Sequence, residues 1–356
     1  MRYCFFRMGL DHPGVQEWFG GMYESMFAAL RRCGHDVILS LDAPDVSCDV
    51  LVVPMGGGQD RTTARAMAAF PGPVVVYAPS ARSWFRTDYL RRWRDRLVLA
   101  YGTDASDFSA ESYASLGIPY LHLPFASDPE VMHPLDVETC HDVVFVGNAN
   151  SGTGRYRFID ELVGRVGKER LLLIGPGWER YDVHPRSMAW GPDLNKVYAQ
   201  SRVCVNLHND EQCLGGDVQE DANNRLFDLA MAGRPQVSNA PLVVERYFAP
   251  DEVLAYSDPG EWADAVERLL QDPVAASSLG MAARTRALRD HTWDARARVL
   301  SEAISNAVGV SAGATRGGWS VMRMRDTLLP PYSSGELVAK VARRLRRVMG
   351  RGTVIR

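Results

Sequence analysis

VCVNLHNDEQCLGGDVQEDANNRLFDLAMA, residues 203–232, is the stretch that decides the fold. A β-branched apolar run over 203–207 passes into a polar loop containing Gly215 and Gly216, and the loop opens a helix over 224–232. A strand that reaches a helix through a glycine-bearing loop is the repeating step of a parallel α/β sheet. It leaves backbone N–H groups pointing out of the helix start, where they bind phosphate. Glu220 and Asp228 stand eight positions apart, and carboxylates of this kind accept paired hydrogen bonds from sugar or ribose hydroxyls. Asn223 or Asn224 is the expected N-cap, with Phe227 and Leu229 packing inward. Acids near a helix start are also favoured by the helix dipole alone, and Arg225 has two readings, an internal ion pair or a phosphate contact.

Two earlier strand ends carry the same kind of loop. GNANSGTGRYR (147–157) follows the apolar run 142–146 and precedes a helix over 156–166, so Gly147, Asn148 and Arg155 or Arg157 are candidate phosphate contacts. LLLIGPGWE (171–179) repeats the arrangement with Gly175 and Gly177. Neither loop is G-x-G-x-x-G or ends in GK[ST], so the dinucleotide and ATP fingerprints are both missing. A further strand at 187–190 brings Trp190 and Gly191 to the same sheet edge, with Trp190 either packed or stacked on a nucleobase. His208 and Asn209, just past 203–207, either touch the donor or hold the loop 215–220 in shape.

Outward from there the alternation of short apolar runs and helical patterns covers both halves. Strands are expected at 3–8, 37–40, 50–54, 74–78, 97–101 and 120–123, with helices near 21–33, 61–69, 88–94 and 109–116. Residues 124–134 have the composition of a linker. The second half has strands at 236–238 and 253–256 beyond those above, and helices at 193–200, 259–271, 274–289 and 292–308. The reading is an α/β chain of two Rossmann-like domains, 1–125 and 135–310, followed by a basic segment, 311–356, of about +8 net charge. In that segment Leu337, Val338, Val341, Leu345 and Val348 form an apolar stripe on a helix, which either closes across the domains or meets an anionic membrane surface or partner.

The net charge of −3 over 356 residues argues against a nucleic-acid partner. The six cysteines show no paired metal-ligand spacing and read as reduced thiols of a cytoplasmic protein. The N-terminus lacks the long apolar run of a signal peptide, and no run of 18 or more apolar residues occurs. Any membrane contact is therefore expected to be peripheral, at the inner face, through the C-terminal helix.

The run NLHNDEQCLGGDVQEDANNRLFDLAMAGRPQVSNA (206–240), followed by YFAPDEVLAYSDPGEWADAVERLLQDP (247–273) and RDHTWDARARVL (289–300), resembles the glycosyltransferases related to the spore-maturation CgeB proteins. More broadly it is similar to group 1 (family 4-like) enzymes of the GT-B fold. The likeness is specific from about residue 141 to 300; in the first half it rests on GMYESMFAALRRCGHDV (21–37).

This resemblance implies two Rossmann-like domains facing a central cleft, with the acceptor held by the first and a nucleotide-sugar donor, expected to be a UDP-sugar, by the second. Glu220 then resembles the catalytic-side acid near the donor sugar and Asp228 the acid on the ribose, with Asp in place of the usual Glu; Arg155 resembles a phosphate-binding residue. It also implies a retaining transfer. The chain has no D-x-D triplet, which fits a reaction with no metal and no cofactor beyond the donor. On the acceptor side Asp11 and His12, and Gly57, Gly58 and Gln59, lie in loops after strands, with His12 a candidate base or acceptor-hydroxyl contact. The expected acceptor is a hydroxyl-bearing glycan, cell-surface or secondary-metabolite precursor. Two other readings stay open, a nucleotide-sugar 2-epimerase-like enzyme of the same fold and a non-catalytic glycan- or nucleotide-binding scaffold.

Overall fold

The computed structural model describes residues 1–8, 10, 13–54, 61–78, 87–105, 107–149, 154–181, 191–208 and 222–313. The basic segment lies outside them from residue 314 onward.

Side chains on β1 (Arg2–Phe6) alternate between two cores. Tyr3 and Phe5 pack with α1 (Pro13–Arg32), and Cys4 and Phe6 enter the core on the opposite face. Beside β1 lie β2 (Asp36–Ser40), β3 (Val50–Pro54), β4 (Val74–Ala78), β5 (Leu97–Gly102) and β6 (Tyr120–His122), all parallel, in the order β2-β1-β3-β4-β5-β6. β4 and β5 are buried along their whole length, which explains their unbroken apolar sequences. α2 (Arg61–Ala69), α3 (Thr87–Trp93) and α4 (Asp107–Ala114) complete this half among the described residues. The first strand stops at Phe6 rather than at residue 8, because Arg7 and Met8 take left-handed backbone angles (φ 59° and 48°) that no strand accommodates.

The second sheet is built from β7 (His141–Val146), β8 (Leu171–Ile174), β9 (Ser201–Asn206), β10 (Gln236–Ser238) and β11 (Leu254–Ala255). It is parallel throughout, in the order β11-β10-β9-β7-β8. α5 (Arg155–Val166) and α9 (Pro259–Gln271) cover one face, and α6 (Gly191–Ala199), α7 (Asn224–Met231) and α8 (Pro241–Val244) the other. α10 (Pro273–Asp290) contributes Ala276 and Leu279 to the first of these layers and Ala283 and Ala287 to the second. Asp258 and Asp272 cap the two long helices, each accepting two backbone N–H groups ahead of a proline-led first turn.

Each sheet thus has its third strand beside its first and its second strand on the far side. The winding direction reverses between β1 and β3 in one half and between β7 and β9 in the other. Just outside the carboxyl ends of such a strand pair, the two diverging connections leave a crevice in which α/β sheets bind ligands.

One expectation about the domain boundary is corrected. The helix expected at 292–308 as the close of the second domain is α11 (Trp293–Gly313), and its Trp293, Ala297, Leu300 and Ile304 are buried in the first core with α1. An apolar stripe at helical spacing states that a helix is covered on one side; it does not state by which sheet. Among the described residues the chain therefore passes between the two halves twice, once between β6 and β7 and once between α10 and α11. The stretch read as a linker is well packed, with Ala126, Ser127, Asp128 and Met132 all buried.

The described cysteines, Cys4, Cys33, Cys48, Cys140 and Cys204, are free thiols. No described helix is long and apolar enough to cross a membrane.

Candidate functional site

At the β7/β9 reversal the backbone of two loops is locked together. The N–H of Gly147, just past β7, donates to the Ile174 carbonyl at the end of β8 (2.8 Å), and Ala149 N–H donates to the Pro176 carbonyl (2.9 Å). From below, the fully buried Trp178 donates its indole N–H to the Gly147 carbonyl at 2.7 Å, while the Tyr156 hydroxyl bonds the carbonyls of Ala149 and Gly177. Gly177 sits at φ 93°, and a Cβ there would lie 2.4 Å from the Ala149 carbonyl oxygen. Only glycine allows this approach of the two loops.

The start of α7 enters the same crevice. Asn223 is its N-cap: the side-chain oxygen accepts from Leu226 N–H at 3.1 Å, and its amide donates to Asn206 Oδ1 at 2.9 Å. Arg225, on the first turn, donates from Nη1 to the same Asn206 oxygen at 3.1 Å and lies over the Phe145 ring, 4.8 Å from the centroid. A Cβ on Gly147 would meet Arg225 Nη2 at 2.7 Å, so the loop after β7 and this guanidinium touch. Burial pulls the Arg225 pKa down from its ordinary value, against the opposing pull of Tyr198 and Asp228. Among the described residues no carboxylate lies within ion-pair distance of it. Arg155 shares the Phe145 ring at 5.6 Å and donates from Nη1 to the Asn148 carbonyl (2.6 Å) and side chain (2.7 Å). Two guanidinium groups and the N-terminal end of α7 therefore converge at one strand end, an arrangement that attracts an anion.

His208 is fully buried behind this edge. Its backbone N–H donates to Asn239 Oδ1 (2.7 Å), Nε2 accepts from Asn223 N–H (3.4 Å), and Nδ1 meets the Ser238 hydroxyl (3.4 Å). These contacts tie the end of β9 to β10 and to the start of α7, while the loop 215–220 that His208 was expected to shape lies outside the described residues.

Asp228 lies on the second turn of α7 and is buried. Its Oδ1 accepts the Ser127 hydroxyl at 2.7 Å and its Oδ2 the Asn224 amide at 2.5 Å. Burial raises its pKa to about 7, although Ser127, Arg225 and Asn224 each favour the ionised form.

Gly147, Asn148, Arg155, Gly177, Asn223 and Arg225 thus gather at the carboxyl ends of β7 and β9, with Asn224 and Asp228 on the adjoining turns of α7 and Gly175 (φ 119°) opening the second loop. Gly191 begins α6 with φ 55°. Glu220, Trp190, Asn209, Asp11, His12, Gly57, Gly58 and Gln59 lie outside the described residues. Four contributors were not singled out from the sequence: Asn206, which joins Asn223 to Arg225; Trp178; Tyr198, a partner of Arg225; and Ser127. An asparagine closing an apolar strand, as Asn206 closes VCVN, is the one signal among them legible in one dimension.

Residues 155–302 match a family model described as glycosyl transferase-like. Among curated proteins none matches the sequence. Among solved structures, HepE of Anabaena in complex with UDP and glucose aligns with a TM-score of 0.58 at 12% identity, covering 86% of this chain and 99% of that one. The DNA-modifying enzyme β-glucosyltransferase aligns at 0.57 and 11% identity (87% and 100% covered). AviGT4, a glycosyltransferase involved in avilamycin A biosynthesis, aligns at 0.55 and 17% (88% and 99%). Residues 155–302 are glycosyl transferase-like in sequence, and the chain carries them in a GT-B fold of two parallel-sheet Rossmann-like halves.

Proposed function

We propose that this protein is a glycosyltransferase that moves a sugar from a UDP-sugar to a hydroxyl-bearing acceptor, with retention of configuration and without a metal. The observation that carries the reading is Arg225, which sits at the β7/β9 reversal over Phe145, beside Gly147 and the N-terminus of α7, with no carboxylate partner among the described residues. Breaking the bond from the anomeric carbon to the diphosphate leaves negative charge on the phosphate oxygens. Arg225, Arg155 and the helix N–H groups supply the opposite charge where a GT-A enzyme uses a metal. Asp228 then faces the ribose and Glu220 the donor sugar, as the resemblance implies.

UDP as the donor base draws support from the solved HepE complexes, which hold UDP, UDP with glucose, and UDP-glucose. Retention rests on the likeness to family 4-like enzymes. The acceptor is assigned to the first half, as the resemblance implies, with Asp11, His12 and Gly57 to Gln59 its candidate contacts in sequence.

The test is calorimetric titration of UDP, GDP and TDP, then of the corresponding sugar nucleotides, followed by donor hydrolysis in the absence of acceptor. Tight binding of UDP and slow release of free sugar are expected. If no nucleotide binds, the reading fails; binding with epimerised donor as the product would identify a sugar-nucleotide epimerase, and binding without turnover a scaffold.

A further inference from the structure

Ser127 lies far from α7 in sequence and next to it in space. It stands in the connection between β6 and β7, where its backbone pairs with the second connection: Ser127 N–H donates to the His291 carbonyl (3.0 Å) and Trp293 N–H donates to the Ser127 carbonyl (3.1 Å), a parallel bridge opposite Thr292. The same residue sends its hydroxyl to Asp228 Oδ1 at 2.7 Å. One serine thus joins both passages of the chain between the halves to the donor-side helix.

The surroundings strengthen the joint. Arg296 donates to the Pro124 carbonyl (3.1 Å) from one connection and to the Asp290 carbonyl (3.0 Å) from the other. Arg32 of α1 reaches Asp294 (2.8 Å) and Asp128 (3.5 Å). Phe227, the neighbour of Asp228 on α7, packs against the His291 ring with centroids 5.2 Å apart, and His291 Nε2 meets the Tyr247 carbonyl at 3.1 Å. Ser127 is 1% exposed, so water does not compete for its hydroxyl. Each oxygen of Asp228 has one partner, from Ser127 and Asn224, and a carboxylate oxygen accepts two hydrogen bonds. The lone pairs left over are aimed by the two partners already present.

We propose that Ser127 is a positioning residue for the donor nucleotide: its hydroxyl sets the orientation of the Asp228 carboxylate toward the ribose and makes that orientation depend on the arrangement of the two interdomain connections. The proposal rests on the nucleotide-sugar reading of the crevice. A mutual consequence follows from linkage: a nucleotide that holds Asp228 in place also favours the arrangement of the connections that Ser127 reads.

The experiment is UDP titration of the full-length protein and its variants, with donor KM and kcat measured alongside. S127A is expected to weaken UDP and raise donor KM about tenfold with kcat nearly unchanged. S127T, which keeps the hydroxyl, is expected to restore affinity. In a D228N background S127A is expected to add much less than in the wild type, because the two act as one unit. S127C, which keeps the volume and donates only weakly, covers the case in which S127A does not fold. Wild-type affinity in folded S127A or S127C, or an equal loss with and without D228N, overturns the proposal. Failure of the wild type to bind any nucleotide overturns the donor-site reading itself, and with it this one.

Discussion

Asn206 Oδ1 accepts from both Arg225 Nη1 (3.1 Å) and Asn223 Nδ2 (2.9 Å), so one buried amide at the end of β9 holds the guanidinium and the N-cap of α7 in a single arrangement. The donors that would meet a diphosphate are in this way set before any ligand arrives. Such pre-organisation lowers the ordering cost of binding.

Replacing Arg225 by Ala removes a charged donor from the crevice. A loss of about 1.5–3 kcal/mol in nucleotide binding is expected, roughly 10- to 150-fold in Kd. Arg225→Lys restores the charge but not the two-sided contact with Asn206 and Phe145, and recovers only part of the affinity. Calorimetry with UDP measures both, and wild-type affinity in R225A would remove Arg225 from the site.

Asp228 and His291 give stability opposite dependences on pH. The Asp228 pKa is raised by burial from 3.8 to about 7, so between those values the folded chain holds a proton that the unfolded chain releases, and this contribution declines as pH rises toward 7. The His291 pKa is lowered, chiefly by burial, from 6.5 to about 4, so its contribution is complete above 6.5 and is lost as pH falls toward 4. Each slope is about 1.4 kcal/mol per pH unit at full effect. Denaturant melts of wild type and D228N at intervals from pH 4.5 to 7 should show the variant gaining relative to wild type as pH rises; parallel curves would contradict the burial-shifted carboxyl.

At Gly177 an Ala would combine a left-handed backbone with a Cβ 2.4 Å from the Ala149 carbonyl. Destabilisation of about 1–3 kcal/mol is expected, with a parallel fall in nucleotide affinity as the loop after β7 moves. An unchanged midpoint in thermal melting would show that the two loops separate without cost.

Trp178→Phe keeps the ring and deletes the indole N–H that meets the Gly147 carbonyl. The stranded carbonyl is expected to cost about 1–3 kcal/mol of stability. Because Gly147 touches Arg225, UDP affinity should fall further in W178F than in a surface control of equal stability; equal affinities would confine Trp178 to core packing.

The alternation of apolar runs with helical periodicity determined the α/β class, and most strands and helices among the described residues stand within a few positions of their expected places; α1 begins at Pro13 rather than at 21, and the short α8 was not expected. Local hydrogen bonding and side-chain alternation act over a few residues, so they are written locally. Gly147, Gly177, Asn223 and Arg225 were legible for the same reason: loop glycines, an N-cap and a first-turn arginine declare themselves by position along the chain. The second partner of each was not. That Asn206 meets Arg225, that Trp178 meets Gly147, that Ser127 meets Asp228 across 101 positions, and that α11 belongs to the first core were decided only when parallel strands brought distant residues side by side. The physical reason is that a sequence states which faces must be buried and which polar groups must be bonded; the packing of two sheets, joined by two connections, selects the partners.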